Sequence, residues 1–205
     1  MKNRYIVAVI FLFSLYSMNV AGRTKGYEKG IEINAAVGLG KLQKYSFGIG
    51  TVHGYRFNQY FFLGGGASYE YLDGLYYHSY EYRGRILGSE SYYSDNVENS
   101  IKLFGRAKVN FTKTRVSPFI AIDCGYTFNL SSLEIRMAEG VFFLPAVGCD
   151  IKVGENQELY IMIGYNAQRY YYKDFSLTDL AYGDSGEKNV KTFAEKINFV
   201  LGFNF

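Results

Sequence analysis

The sequence predicts an all-β chain, an eight-stranded antiparallel up-and-down transmembrane β-barrel. Three observations carry that reading. Apolar residues recur at every second position in eight stretches of roughly ten residues, the period of a strand with one apolar and one polar face. Beyond the N-terminal run, no stretch approaches the roughly 20 apolar residues of a spanning helix. Any crossing therefore falls to strands, and only a closed barrel satisfies their backbone groups in hydrocarbon. Aromatic residues make up 19 % of the chain, with 21 Tyr, 17 Phe and no Trp. Both favour strands, and Tyr suits a membrane–water boundary.

The chain opens with two positive charges in Met1–Arg4, followed by Tyr5–Val20, which carries none. That run is short for a membrane anchor, and Ala21 and Gly22 supply small residues after it. Residues 1–22 therefore read as a signal peptide and residues 23–205 as the barrel domain. No Cys follows the apolar run, so a lipid anchor is not indicated. The formal charge of +3 falls to +1 once Lys2 and Arg4 are removed. Such a balance, without Lys/Arg clusters, argues against nucleic acid as a partner.

The strands follow in order. Gly30–Gly40 sets Ile31, Ile33, Ala35, Val37 and Leu39 against Glu32, Asn34, Ala36 and Gly38. Tyr45–Phe57 sets Tyr45, Phe47, Ile49, Tyr55 and Phe57 against Ser46, Gly48, Gly50, Gly54 and Arg56. Phe61–Tyr71 sets Leu63, Ala67, Tyr69 and Tyr71 against Gly64, Gly66, Ser68 and Glu70. After the polar segment Asp73–Asn99, Ile101–Phe111 sets Ile101, Leu103, Ala107 and Val109 against Lys102, Arg106, Lys108 and Asn110. Ile120–Leu130 and Val141–Val153 place Asp123, Asp150 and Lys152 opposite Ile122, Cys124, Val147 and Cys149. Leu159–Tyr171 sets Ile161, Ile163 and Tyr165 against Gly164, Asn166 and Gln168. In Phe193–Phe205 the apolar positions are Ile197, Phe199, Leu201, Phe203 and Phe205, with Val200 the one exception to the alternation. Connections after the second, fourth and sixth strands are short, and those after the others are longer.

That final strand, with an aromatic last residue and apolar residues at every second position before it, resembles the C-terminal assembly signal of Gram-negative outer-membrane barrels. Phe199, Leu201, Phe203 and Phe205 carry the resemblance. With the loop rhythm it extends to the whole mature chain, which resembles the small OmpA transmembrane domain and OmpX families. It implies short periplasmic turns, longer external loops, an outer-membrane location, contact with outer-membrane lipid, a monomer, and engagement of the barrel-assembly machinery through the last strand.

The polar face collects Glu32, Arg56, Glu70, Lys102, Arg106, Lys108, Asp123, Asp150, Lys152 and Lys196. In a membrane barrel these ten point inward and must pair, because isolated buried charges are very costly. A lumen filled that way is a plug. A soluble lipocalin-like barrel would turn the faces inside out and enclose a greasy cavity. Aromatics near the strand ends, such as Tyr45, Tyr55, Tyr71 and Tyr165, argue instead for membrane girdles.

Some barrels resembling this one trim or transfer lipid acyl chains, chemistry that needs a His beside a nucleophile or carboxylate. Only His53 and His78 are present. His53 has apolar-face parity and reads as interfacial. His78, next to Ser79 and near Glu81, is the one place for a triad, and an ordinary loop position is the better reading. No catalytic residue, cofactor or metal site is expected. Cys124 and Cys149 share a face on adjacent strands, and a disulfide between them stays open. Functional signal concentrates in the acidic loops: Asp73–Asn99 carries Tyr76, Tyr77, Tyr80, Tyr82, Tyr92 and Tyr93. Tyr offers large contact area at low entropy cost, which fits an extracellular protein or glycan partner. Alternation around Arg83–Arg85 suggests that strands three and four continue outward as a projecting hairpin.

Overall fold

The computed structural model describes residues 25–39, 43–74, 78–82, 85–90, 97–130, 139–154, 157–175 and 187–205. The predicted signal peptide lies outside them. The described elements are all strands: β1 (Gly26–Gly38), β2 (Gln43–Arg56), β3 (Phe61–Gly74), β4 (His78–Tyr82), β5 (Arg85–Glu90), β6 (Val97–Asn110), β7 (Val116–Asn129), β8 (Gly140–Lys152), β9 (Glu158–Phe175) and β10 (Glu187–Asn204). Eight of them close into a barrel in the order β1-β10-β9-β8-β7-β6-β3-β2, every pair antiparallel. The up-and-down topology and strand count are those the alternation predicts. The projecting hairpin takes a different form. β4 and β5 pair with each other in a separate sheet, His78 opposite Glu90 and Tyr82 opposite Arg85, rather than prolonging the barrel strands.

Exposure alternates residue by residue along β7 from Val116 to Cys124, as a period of two requires. The outward set is apolar: Ile33, Phe47, Ile49, Leu63, Leu103, Ile122, Val147, Ile161, Phe199 and Leu201 are all exposed. The inward set holds the charges. On β2 the outward apolar face runs from Tyr45 to Tyr55. Ten residues span about 34 Å of strand, or about 26 Å along the axis at a tilt of about 40°, matching the roughly 25 Å band of a membrane barrel. In water each of those exposed side chains would forfeit about 1.5–3 kcal/mol of burial. The distribution suits a surround of hydrocarbon, and the lumen is not the greasy cavity of the soluble alternative.

Two close approaches shape the inner wall. Gly54 faces Gly64 across the β2–β3 ladder, and a Cβ on Gly54 would sit 2.5 Å from both the Gly64 Cα and the Phe62 ring. The missing side chains leave room for the tip of the Phe62 ring, which is buried. On β10, a Cβ at Gly202 would run into the Tyr160 ring. Val200, the exception to the predicted alternation, is buried inside with Tyr160, Met162 and Phe119; its even parity, not its chemistry, sets its direction.

One seam interrupts the wall. The β8–β9 register passes from Phe143↔Ala167 to Ala146↔Gly164, leaving Leu144 and Pro145 without rungs. The Pro145 carbonyl lies on the β9 side, 2.9 Å from where a Gly164 Cβ would stand. The same side is where an N–H at position 145 would point, and proline has none. A single missing donor thus accounts for both lost rungs.

The cysteines are free. Cys124 pairs with Phe143 and Cys149 with Pro118, so they stand six residues apart along the strands, about 20 Å. A disulfide needs Cα atoms within about 7 Å, which settles the open question against a bridge.

Candidate functional site

The lumen is where the strands bring chemistry together, and it is layered. Nearest the short turns, Arg56 on β2 forms an ion pair with Glu28 on β1 through two contacts, that from Nη2 being 3.0 Å long. Its Nη2 lies 3.6 Å from Glu158 on β9, and its Nη1 donates to Asn110 Oδ1 on β6 at 3.2 Å. Asn110 Nδ2 donates to Asp150 Oδ2 at 2.6 Å, and Lys108 Nζ donates to both Asp150 oxygens at 2.9 and 3.0 Å. The same ammonium lies 4.7 Å from the Phe119 ring centre and 5.3 Å from that of Tyr160, a cation–π geometry.

The middle layer is centred on Arg106. Its Nε and Nη2 donate to the two Asp123 oxygens, both at 2.7 Å, in the bidentate geometry that suits guanidinium and carboxylate. Nη1 reaches across the lumen to Glu32, and lies 3.3 Å from the Tyr160 hydroxyl, which itself donates to Glu32. One guanidinium therefore joins β6, β7, β1 and β9. Above it, Lys102 Nζ donates to Glu70 Oε1 at 2.6 Å, and Lys196 Nζ stands 3.9 Å from Glu70 Oε2. A cavity of about 30 Å³ lies between these two layers, lined in part by Asn34, Glu70, Lys102, Arg106 and Asn198. It has room for a water molecule or so. Beyond it toward the longer loops, Ser46, Ser100, Thr127 and Asn166 are buried and bear polar atoms without a protein hydrogen-bond partner, as groups satisfied by water do.

Of the ten residues placed on the polar face by alternation, Glu32, Arg56, Glu70, Lys102, Arg106, Lys108, Asp123, Asp150 and Lys196 are buried in this lumen. Lys152 is not one of them, and its assignment is corrected here. It ends β8, is half-exposed at the turn rim, and donates from Nζ to the Lys113 carbonyl oxygen at 3.2 Å. Two carboxylates were missed. Glu28 and Glu158 fall just outside the strand limits read from the sequence, where β1 and β9 extend further toward the turns. Parity was the available signal, since both are even-numbered like their inward neighbours. With that exchange the described lumen holds five bases and six acids.

Elsewhere, His53 sits on the outer wall with Nδ1 2.7 Å from the Tyr27 hydroxyl. His78, Tyr80 and Tyr82 lie in β4. Tyr76, Tyr77, Tyr92 and Tyr93 fall outside the described residues. On β10, Phe199 and Leu201 are exposed on the outer wall, while Phe203 and, just past the strand's end, Phe205 are half-exposed with ring centres 6.0 Å apart. Lys29 lies over the Phe205 ring at 5.3 Å.

No protein-family model and no curated protein matches the chain. Among solved structures it is similar to the outer membrane protein OprG from Pseudomonas aeruginosa, with 12 % identity and a TM-score of 0.57 over 91 % of this chain and 98 % of that one. Neisserial surface protein A matches at 14 % identity and a TM-score of 0.45, over 88 % of this chain and 95 % of that one. The Escherichia coli outer membrane protein W matches at 12 % and 0.44, over 90 % and 100 %. At such identities the OprG likeness speaks to architecture. With its closed eight-strand order and its charges turned inward, the chain has the fold of the small eight-stranded outer-membrane β-barrels.

Proposed function

We propose that this chain is a non-enzymatic outer-membrane barrel whose work is structural, adhesive or recognitive, done by its external loops and outer wall rather than by its lumen. The observation that carries the proposal is the Arg106 layer. A guanidinium held by Asp123, Glu32 and Tyr160 spans the interior, and the space above it measures only about 30 Å³. Among the described residues this layer is a strut and a plug, and the space above it has no room for a substrate. In this reading the outer-membrane lipid is the solvent of the barrel wall. Phe199, Leu201 and Phe203 on β10, with Phe205 just after it, are what the assembly machinery engages. The Tyr-bearing loop between β3 and β6, including Tyr80 and Tyr82, meets an extracellular protein or glycan. The protein works as a monomer.

Outer-membrane fractionation with gel mobility before and after boiling tests the location. Co-fractionation with a heat-dependent mobility is expected, whereas recovery as a soluble protein without detergent would overturn the proposal. Planar-bilayer recording tests the plug. Stable conductance of the size expected for an open water-filled pore would refute it.

A further inference from the structure

A basic rim lies at the short-turn end of the barrel. The turn between β6 and β7 runs Phe111-Thr112-Lys113-Thr114-Arg115, and beside it around the barrel is the end of β8, where Lys152 stands. Hydroxyls pin the turn. Thr112 Oγ1 lies 3.0 Å from Thr114 Oγ1, Thr114 Oγ1 donates to the Val116 carbonyl oxygen at 2.5 Å, and Ser117 Oγ donates to that of Thr112 at 2.7 Å. Lys152 laces the two segments together. Its amide donates to the Arg115 carbonyl oxygen at 2.9 Å and its Nζ to that of Lys113 at 3.2 Å, while Arg115 Nε donates to the Lys152 carbonyl oxygen at 3.3 Å.

Three cations are thereby held on one stretch of rim. Lys113 and Arg115 are exposed, and Lys152 is half-exposed. Among the described residues none of the three makes an ion pair with a carboxylate. Asp150, two residues before Lys152, is buried in the lumen and paired with Lys108. Like charges so placed repel one another, and an anion brought to them relieves that cost. Their height is set by the wall. Phe111 and Val116, on either side of the turn, are exposed on the outer face, as is Tyr60 in the turn between β2 and β3. Lys113 Nζ lies 5.4 Å from the Tyr60 ring centre, a ring of the kind that sits at headgroup level. Lys113 stands two residues past Phe111, about 7 Å of extended chain. That reach falls in the polar zone that adds about 5–8 Å to each side of a hydrocarbon core of about 30 Å.

We infer that this rim is a docking surface for anionic phospholipid headgroups in the leaflet on the side of the short turns, with Lys113 and Arg115 supplying the charge. The inference rests on the membrane reading above. Charge complementarity favours an anion, and continuity with the apolar wall at Phe111 and Val116 favours one carried on a lipid. Arg115, its Nε engaged by the Lys152 carbonyl, has Nη donors left for phosphate oxygens.

The test uses the full chain folded in a neutral detergent, with bound lipid counted by native mass spectrometry. The probes are phosphatidylglycerol and phosphatidylcholine of identical acyl chains, which share the phosphate and differ in net charge. The wild type is expected to prefer phosphatidylglycerol, and salt at about 1 M, where the screening length is about 3 Å, is expected to abolish the preference. A basic residue near a lipid surface contributes about fivefold in affinity, so K113Q/R115Q is expected to bind phosphatidylglycerol about thirtyfold less tightly. K113R/R115K keeps both charges and is expected to retain the preference. Equal binding of the two lipids by a wild type with heat-dependent gel mobility overturns the inference, whether or not the variants fold. Unaltered binding by a K113Q/R115Q protein that keeps that mobility overturns it too. Binding of a soluble acidic muropeptide in preference to phosphatidylglycerol would assign the rim to the cell wall and likewise overturn it. Loss of heat-dependent mobility in the wild type would instead refute the membrane reading itself.

Discussion

Replacing Arg106 with Met removes a charged group that ties β6, β7, β1 and β9 together, and the cost follows from what is left behind. Asp123 loses two hydrogen bonds of 2.7 Å, and Glu32 loses its cross-lumen partner. Both carboxylates are about 4 % exposed, so bulk water does not replace the guanidinium. Breaking a buried pair by removing one partner costs about 3–5 kcal/mol. Here two partners are abandoned at once, which sets the expectation for R106M near the top of that range. Neutralising the abandoned groups tests the cause. In the R106M background, E32Q and D123N together are expected to bring stability back to within about 2 kcal/mol of wild type, since amides of the same shape carry no charge to desolvate. The assay is reversible urea unfolding in phospholipid vesicles, followed by far-ultraviolet circular dichroism because the chain has no Trp. A loss below about 1 kcal/mol in R106M would show that the lumen is solvated enough to screen its charges. Failure of the two amides to restore stability would show that the loss came from packing. Either result refutes the reasoning.

Other substitutions probe other features. Gly202→Ala is expected to cost about 1–3 kcal/mol, because the new Cβ meets the Tyr160 ring and must displace it from Glu32 and Arg106; the urea midpoint reads it, and a neutral result would mean the ring has another place to go. Pro145→Ala is expected to stabilise the barrel by about 0.5–1.5 kcal/mol by restoring a donor to the β9 strand. The new amide at position 145 should itself be protected from hydrogen exchange, because it would donate to the Tyr165 carbonyl, and rapid exchange there would count against the one-donor account of the seam. With their register some six residues apart, Cys124 and Cys149 are expected to react separately with a membrane-permeant maleimide and to give the same gel mobility with and without reductant.

The sequence was most legible where side-chain chemistry and parity agreed. Ile161 and Ile163 against Gly164 and Asn166, or Glu32 and Asn34 against Ile31 and Ile33, declare both the strand and its faces. It was least legible where they disagreed. Phe62, Phe119, Tyr160, Met162 and Val200 are apolar or aromatic and face inward, because a narrow lumen must be filled by whatever side chains the inward positions hold. Reading polarity alone sends such residues to the lipid. Parity would have placed Tyr160 correctly, since it is two and four positions from Met162 and Gly164 on the same side of β9. The pairing pattern in the lumen was beyond reach for a different reason. Arg106 and Asp123 are rung partners, which a hairpin implies, but Arg106 to Glu32 crosses the barrel and depends on closure and on side-chain length. Lys152 shows the complementary error: the right parity at a strand end where the lumen meets water.

The cross-lumen tie has a consequence for how the barrel comes into being. Glu32 belongs to the first barrel strand, Tyr160 to the seventh along the chain, and Arg106 to the fourth. Hairpins can form one after another, each satisfying its own ladder, yet Glu32 stays without its guanidinium until the sheet has curled far enough to bring β1 opposite β6. An open, half-curled sheet in lipid would carry naked charge on one face. Its last gap is therefore the least stable state along the route, and zipping β1 to β10 neutralises the interior in the same step. Assembly of this chain should behave as a latch, with few half-closed molecules present at any moment.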